Sequence, residues 1–473
     1  MPFSRRTFIK GGLGIAVAGG LGLAHGAETQ GDRQVSEQSV VIQRTIPVRH
    51  EVDVFVAGGG PAGVAAAVGA ARQGRSVFLA ERQNCLGGMG TAGLLPVFMQ
   101  FSDGENFLAG GVGREVLTNL QEAGGTGPAG GATIRAEVLK RVYDDMLLKA
   151  GVDFTFETTL VDIEAAEGTV SLAVLAAKSG LFAVRAKHYV DCTGDGDLAA
   201  WAGAPFEKGD EEGNMMAGTL CSVWADVDWE RARAYGMQNQ QTRLDDAFKD
   251  KVFTVEDRHL PGMWRIGERL AGGNLGHTYG VDGTDERSVT EAVIWARKLI
   301  LEYERYYKEY LEGFEDMTLV TLGAMHGIRE TRRILGDYVL NLEDFNQRAT
   351  FDDEIGRYSY PVDIHAGKSG NTAYEVFAKE HKELRYGKGE NYGIPYRSIL
   401  ARGLSNVLVA GRCISTDRYM QSSVRVMPGC FITGQAAGVA AALAAEKGTD
   451  TRGVAVDELQ GRLKELGAFL PNC

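Results

Sequence analysis

The chain has 473 residues, with 62 acidic and 50 basic side chains and a net charge of −12 at neutral pH. That balance leaves no basic footprint for nucleic acid or an anionic membrane surface, and the length supports a large core divided among two or three domains. Six scattered cysteines with no Cys-x-x-Cys spacing and no metal-like pairing with histidine argue against a disulfide scaffold and a structural zinc site, so no metal ligand is assigned.

Residues 1–27 open with Ser4-Arg5-Arg6-Thr7-Phe8-Ile9-Lys10, continue through a glycine- and alanine-rich run, and present small residues at Ala24, Gly26 and Ala27. The pattern resembles a twin-arginine export signal, which implies a periplasmic protein, membrane-tethered if the signal stays uncleaved. At about 14 residues the apolar run is too short for a bilayer helix, so no integral span is expected in the mature chain. Residues 28–50 are polar and read as a linker.

The segment from Val52 to Glu81 organises the rest of the chain. An apolar run (Val52, Val54, Phe55, Val56, Ala57) has the character of a buried parallel strand and breaks into Gly58-Gly59-Gly60-Pro61-Ala62-Gly63. An alanine-rich helix comes next, Gly74 stops it, and a second strand ends on Glu81. In such a βαβ unit Gly58 permits the tight turn, Gly60 admits a pyrophosphate, Gly63 lets helix and strand pack closely, and Glu81 suits ribose hydroxyls. Gly12-Leu13-Gly14 has glycines but no preceding strand, and is a decoy.

A glycine-rich loop, Arg82 to Thr91, leaves the second strand. A helix is expected from near Thr133 to Gly151, a third parallel strand over Val152 to Phe156, and an antiparallel meander from Leu160 to Val190 leading into Asp191-Cys192-Thr193-Gly194-Asp195-Gly196-Asp197. From 204 to 386 aromatic and charged residues rise. A long helix there is expected to open with a capping box of Ser288 and Glu291 and to carry a stripe of Trp295, Tyr303, Tyr306 and Tyr310, fit for a core or an interface. Near the C-terminus, Asn406 to Gly411 reads as a short buried strand, and Pro428 suits the start of a helix of small residues.

Taken in order, VAGGGPAGVAAA, LGGMGT, DCTGDGDLA, GIRETRR, YGIPYRS and NVLVAGRCIS with SVRVMPGCFITGQAAGVAAAL resemble the FAD-dependent oxidoreductases of the glutathione-reductase and succinate-dehydrogenase-like superfamily. The resemblance implies an α/β fold: a discontinuous Rossmann-type FAD-binding domain, 51–203 and 387–473, three-layered with a parallel sheet plus β-meander, and an inserted α+β substrate domain over 204–386. It implies that Gly58, Gly60, Pro61, Ala62 and Gly63 hold the FAD pyrophosphate and Glu81 the ribose. Arg82, Gly88 and Thr91 would line the cofactor, Asp191, Thr193, Gly194 and Asp195 the ribityl chain, and Gly411, Arg425 and Gln435 the ring. No histidine lies between Glu81 and Thr91, so non-covalent FAD is expected. Relatives often carry a histidine where this chain has Thr416-Asp417-Arg418-Tyr419, and that residue's role does not transfer.

Hydride transfer needs a group to balance the proton, and histidine is the readiest near neutral pH. His277 and His365, in turn-rich segments of the inserted region, are the expected proton-transfer residues among candidates that also include His188, His259, His326 and His381. Arg329, Arg397 and Arg425 suit a substrate carboxylate or a polarised oxygen. With one dinucleotide fingerprint in context, electrons must be exchanged with an external donor or acceptor. The expected activity is oxidation or reduction of a small polar metabolite. A flavin monooxygenase or halogenase-like enzyme and an electron-transfer subunit stay open, as do the substrate and the oligomeric state.

Overall fold

The computed structural model describes residues 40–128, 130–236, 239–259 and 262–473. The export-signal reading of residues 1–27 lies outside them, and Ile46–Cys473 packs as one unit. The first strand, β1 (Val48–Ala57), begins inside the stretch assigned to a linker. The helix α1 (Pro61–Arg72) and strand β2 (Val77–Ala80) complete the expected βαβ unit. After α2 (Val112–Glu122) and α3 (Ala136–Ala150) come β3 (Asp153–Thr155), β4 (Thr159–Ala166), β5 (Thr169–Ala177) and β6 (Gly180–Asp191).

These strands form a seven-stranded sheet in the order β3-β2-β1-β6-β5-β4, joined on the second half of β6 by β15 (Val407–Val409). The strands β3, β2, β1, β6 and β15 are parallel, whereas β4, β5 and the first half of β6 make the antiparallel meander. Register carries the functional consequence: Ala57 pairs with Ala80 and with Asp191, and Asp191 pairs with Val409. Four parallel strands therefore end level, and the residues just beyond them, Gly58, Glu81, Cys192 and Ala410, share one edge. Ligands of open parallel sheets bind there.

Between these halves lie α4 (Asp197–Trp201), β7 (Phe206–Lys208), β8 (Ser222–Ala225), α5 (Trp229–Tyr235), α6 (Asn239–Lys249), β9 (Gly262–Arg265), β10 (Ala271–Asn274), α7 (Glu286–Tyr310) and β11 (Thr318–Leu322). The order β11-β8-β10-β9 makes an antiparallel sheet on which α7 packs. Tyr303, Tyr306 and Tyr307 are buried there with Trp224, so the tyrosine stripe serves a core. Asp285 caps α7, accepting from Ser288 N at 2.7 Å, so the helix starts earlier than a capping box at Ser288 anticipates.

Apolar packing draws the inserted region more tightly than 204–386. Its own core runs from Trp224 to Met317. The chain then returns: β12 (Arg332–Ile334), α8 (Leu342–Gln347) and β13 (Glu354–Tyr358) place Ile334, Leu340, Phe345, Ile355 and Tyr358 in the Rossmann core. Beyond α9 (Asn371–Glu383), β14 (Tyr392–Pro395) pairs with β13. The boundary is invisible in sequence because the returning segments are as aromatic as the insertion.

The C-terminal helices are α10 (Arg418–Val424), α11 (Met427–Lys447) and α12 (Val456–Glu465). Among the described residues α11 alone is long and apolar enough to cross a membrane, and it is buried from Met427 to Ala445. It lies against α1 at a distance only glycine permits. A Cβ on Gly434 would stand 2.1 Å from Ala62 O, and one on Gly438 2.0 Å from Ala66 O. In both cases the obstacle is backbone, which cannot swing aside. Five of the six cysteines are buried free thiols, and Cys473 is exposed.

Gly438→Ala should therefore push α1 and α11 apart and cost at least ~2 kcal/mol in urea unfolding. Gly461→Ala, in α12 where an added Cβ meets nothing within 4 Å, should instead stabilise by up to ~1 kcal/mol.

Candidate active site

The turn after β1 is shaped by backbone. Gly58 has φ +95°, and a Cβ on Gly63 would stand 1.8 Å from Gly58 O, so α1 sits directly on the strand end. No side chain caps α1, whose N-cap is Gly60, and an added Cβ on Gly60 would meet no protein atom within 4 Å. Open space in front of uncapped helix N–H groups fits a pyrophosphate. Pro61 and Ala62 form the first helical turn. The Glu81 carboxylate accepts from Gly59 N at 2.6 Å and Gln83 N at 2.7 Å, which fixes its orientation, and burial raises its pKa.

The loops beside this cradle are held internally. Thr91, fully enclosed, donates its hydroxyl to Leu86 O at 2.5 Å, and Gln435 Oε1 accepts from Val112 N at 2.7 Å. These side chains shape the Gly88 loop and the start of α2. Asp191 accepts from Thr193 N, Thr193 Oγ1 and Ala199 N, and burial lifts its pKa to about 6. Gly194, at φ +81°, leaves room for Arg412, whose guanidinium pairs with Asp195 at 2.6 Å. Gly411 lies against Ala62, its N–H bonded to Thr433 Oγ1. Arg82 is exposed beside Glu81.

The segment Ala324 to Thr331, returning from the inserted sheet, is stapled to three of these loops. Ala324 N donates to Ala92 O at 2.8 Å, Arg412 Nη1 donates to Ile328 O at 2.6 Å, and Thr331 Oγ1 donates to Asp195 at 2.7 Å. Neighbouring side chains of this segment then go to different partners. Glu330 is fully buried and accepts from Met216 N, Arg333 and Arg418. Arg329 turns from it, donating Nη1 to Ala217 O at 2.6 Å and Thr219 Oγ1 at 2.9 Å. Among the described residues no carboxylate lies within 4.0 Å of Arg329, although the side chain is buried. Burial, and then the charge of Arg425 nearby, lowers its pKa to about 10. Arg425 reaches Asp363 at 3.4 Å, while its own Nε is buried without a partner.

His277 and His365 meet: Nε2 of the first lies 2.9 Å from Nδ1 of the second. Behind His277, Nδ1 is 2.7 Å from Asp257 Oδ2; behind His365, Nε2 is 3.4 Å from Asp363 Oδ2. The ring of His259 stacks on His365 with centroids 4.5 Å apart. Burial holds both His259 and His365 well below the ordinary imidazole pKa. His326 is separate, bonded to Thr278 Oγ1 at 2.8 Å.

Arg397 does not join this group. Its guanidinium grips both oxygens of Asp353 at 3.0 and 3.2 Å and lies over the Tyr338 ring, half exposed. Sequence reasoning missed Asp257, Asp363 and the part taken by His259. One signal was available: Asp-x-His occurs twice, at Asp257-Arg258-His259 and Asp363-Ile364-His365.

Because the Gly60 Cβ has space but the phosphates need it, Gly60→Val should leave the urea midpoint of cofactor-stripped protein unchanged within ~0.5 kcal/mol. The same substitution should cut bound flavin, read from the visible spectrum after purification, from about one per chain to near zero.

A family model described as FAD dependent oxidoreductase matches residues 53–463. No curated protein matches the chain in sequence. Among solved structures, a geranylgeranyl bacteriochlorophyll reductase-like protein from Thermoplasma acidophilum is 13% identical with a TM-score of 0.43, over 89% of this chain and 84% of that one. The p-nitrophenol 4-monooxygenase PnpA from Pseudomonas putida DLL-E4 is 12% identical with a TM-score of 0.44, over 89% and 87%. Since the family model spans both segments of the Rossmann domain and the insertion between them, the chain belongs to the FAD-dependent oxidoreductase family, with FAD as its cofactor.

Proposed function

We propose that the protein oxidises a small metabolite that carries a carboxylate, passing its electrons to an external acceptor. One observation supports this above the others: among the described residues Arg329 is a buried guanidinium with no carboxylate partner, beside a second arginine with an unpartnered Nε. An unpaired buried charge is costly, and proteins keep one where a ligand supplies the counter-charge. Every neighbouring arginine on this face (Arg332, Arg333, Arg412, Arg418) already has its acid.

In this reading Arg329 and Arg425 bind and orient the substrate carboxylate. The planar guanidinium fork fixes the plane of the carboxylate as well as its position. The histidine group of His277 and His365, within electrostatic reach of Arg329, takes up the proton released on oxidation, with Asp257 and Asp363 orienting the rings. Bound FAD supplies the acceptor for the hydride. The external acceptor follows from the lack of a second dinucleotide fingerprint in context, and the arginine pair at Arg5-Arg6 supports a site of action outside the cytoplasm.

The test is anaerobic mixing of the holoprotein with monocarboxylates, dicarboxylates and hydroxy acids, compared with uncharged sugars and amines. Bleaching of the flavin by a carboxylate alone is the expected result. Reduction that requires NAD(P)H, with oxygen consumed afterwards, overturns the reading in favour of a monooxygenase. Arg329→Gln should weaken substrate binding about 10- to 100-fold, the worth of one charged hydrogen-bonded contact. Arg397→Gln should leave it unchanged. Since the buried charge lacks a partner, Arg329→Gln should not lower the melting temperature of substrate-free protein.

A further inference from the structure

We propose that His259, His277 and His365 form a binding site for a divalent metal ion of the zinc class. The side-chain nitrogens of the three residues lie within 4.8 Å of one another. They come from three separate segments: the loop after α6, the loop after β10, and the loop before α9.

The positions of the imidazole protons point to the ion. Neutral histidine has one N–H and one lone pair. Asp257 faces Nδ1 of His277 at 2.7 Å and Asp363 faces Nε2 of His365 at 3.4 Å, and a carboxylate only accepts. Each acid thus favours the proton on the nitrogen that faces it, Asp257 strongly at 2.7 Å and Asp363 weakly at 3.4 Å, and leaves a lone pair on the nitrogen near the other ring. Those near nitrogens, His277 Nε2 and His365 Nδ1, point at each other across 2.9 Å. Without an ion, either His365 carries its proton on Nδ1 and gives up its N–H toward Asp363, or one ring becomes a buried cation close to Arg329 and Arg425. A metal ion lets both acids keep an N–H in front of them with both rings neutral.

The surroundings match what such an ion requires. A carboxylate behind the non-ligating nitrogen is the arrangement that fixes the tautomer of metal-bound histidine. Zinc at 2.0–2.1 Å from two imidazoles sets their nitrogens ~3.4 Å apart, which needs the observed pair to open by about 0.5 Å. His259 supplies the third nitrogen, its main-chain N–H held by Asp257 Oδ1 at 2.9 Å. A cavity of about 10 Å³, lined by Asp257, His259, His277, Tyr279 and Lys368, leaves about the room of one water beside two of the three histidines. Three imidazoles with one open position is a combination zinc accepts in catalytic sites. Asp257 and Asp363 provide negative charge in a neighbourhood that also holds Arg329 and Arg425. The binding of an ion stands on the histidines alone. Its use, to hold a water or hydroxide that takes the substrate proton in place of the rings whose lone pairs the ion occupies, rests on the function proposed above.

The experiment uses untagged, FAD-loaded protein, stripped with chelator and titrated with Zn²⁺, with bound metal measured by elemental analysis after gel filtration. One equivalent per chain is expected for the parent and for His188→Ala, whose ring lies in β6. At least a 100-fold weaker affinity is expected for His259→Ala and for His277→Ala, with flavin content unchanged as the proof of folding. Asp257→Asn should weaken binding about 10- to 100-fold through the tautomer it no longer enforces. Stoichiometry below one-tenth in the parent, or parent-like affinity in His259→Ala with full flavin, overturns the site. A metal-free protein whose flavin is still bleached by a carboxylate sinks the ion and spares the proposed activity. A metal-bound protein inert to carboxylates does the reverse.

Discussion

The close seating of α1 is the constraint on which the rest of the structure depends. On one side Gly63 meets the carbonyl of Gly58, and on the other Ala62 and Ala66 meet the backbone at Gly434 and Gly438 of α11. Each contact is backbone to backbone, and none tolerates a side chain. The helix start is thereby pinned level with the ends of β1, β2, β6 and β15. An anion-binding helix terminus works only if it stays where the ligand's phosphates are, and small residues on both faces hold it there without a hydrogen-bonded cap.

Charge is divided unevenly along the single segment that returns from the insertion. Glu330 gathers Met216 N, Arg333 and Arg418, and Asp195 gathers Arg412 and Thr331. These pairings tie the inserted region to the Rossmann edge. Arg329, one residue from Glu330, is left out of them and is held by Ala217 O and Thr219 Oγ1. Paired charges hold the segment in place, and the charge without a carboxylate is the one that the proposed function assigns to a ligand.

Legibility in the sequence tracks how local each signal is. The βαβ unit, the meander and the C-terminal strand and helix announce themselves through short-range patterns: apolar runs, glycines where the chain must turn, and small residues along a helix. Glu81 was legible for the same reason, at a fixed distance from the glycines. The histidine pair was half legible. Turn-rich context singled out His277 and His365, yet nothing in one sequence says that residues 88 positions apart touch, or that Asp257 stands behind one of them. The internal partners of Thr91, Gln435 and Arg397 were not legible, because motif position does not reveal which neighbours a polar group bonds. Arg397 satisfies Asp353, and Gln435 satisfies the start of α2. The edge of the inserted region was unreadable, since residues after 330 rejoin the first core through aromatic and aliphatic side chains like those they leave.

The buried helix α11 also governs the order in which the molecule can be built. Its partners α1 and α2 emerge from the ribosome long before it does, and the bond from Val112 N to Gln435 closes a separation of 323 residues. Contacts so distant form late and slowly. Until α11 has been made, the face of α1 that packs on it stays uncovered, and a nascent chain that halts after the inserted region carries an open seam. Completion of the nucleotide cradle therefore waits on a helix encoded far downstream of the glycine turn.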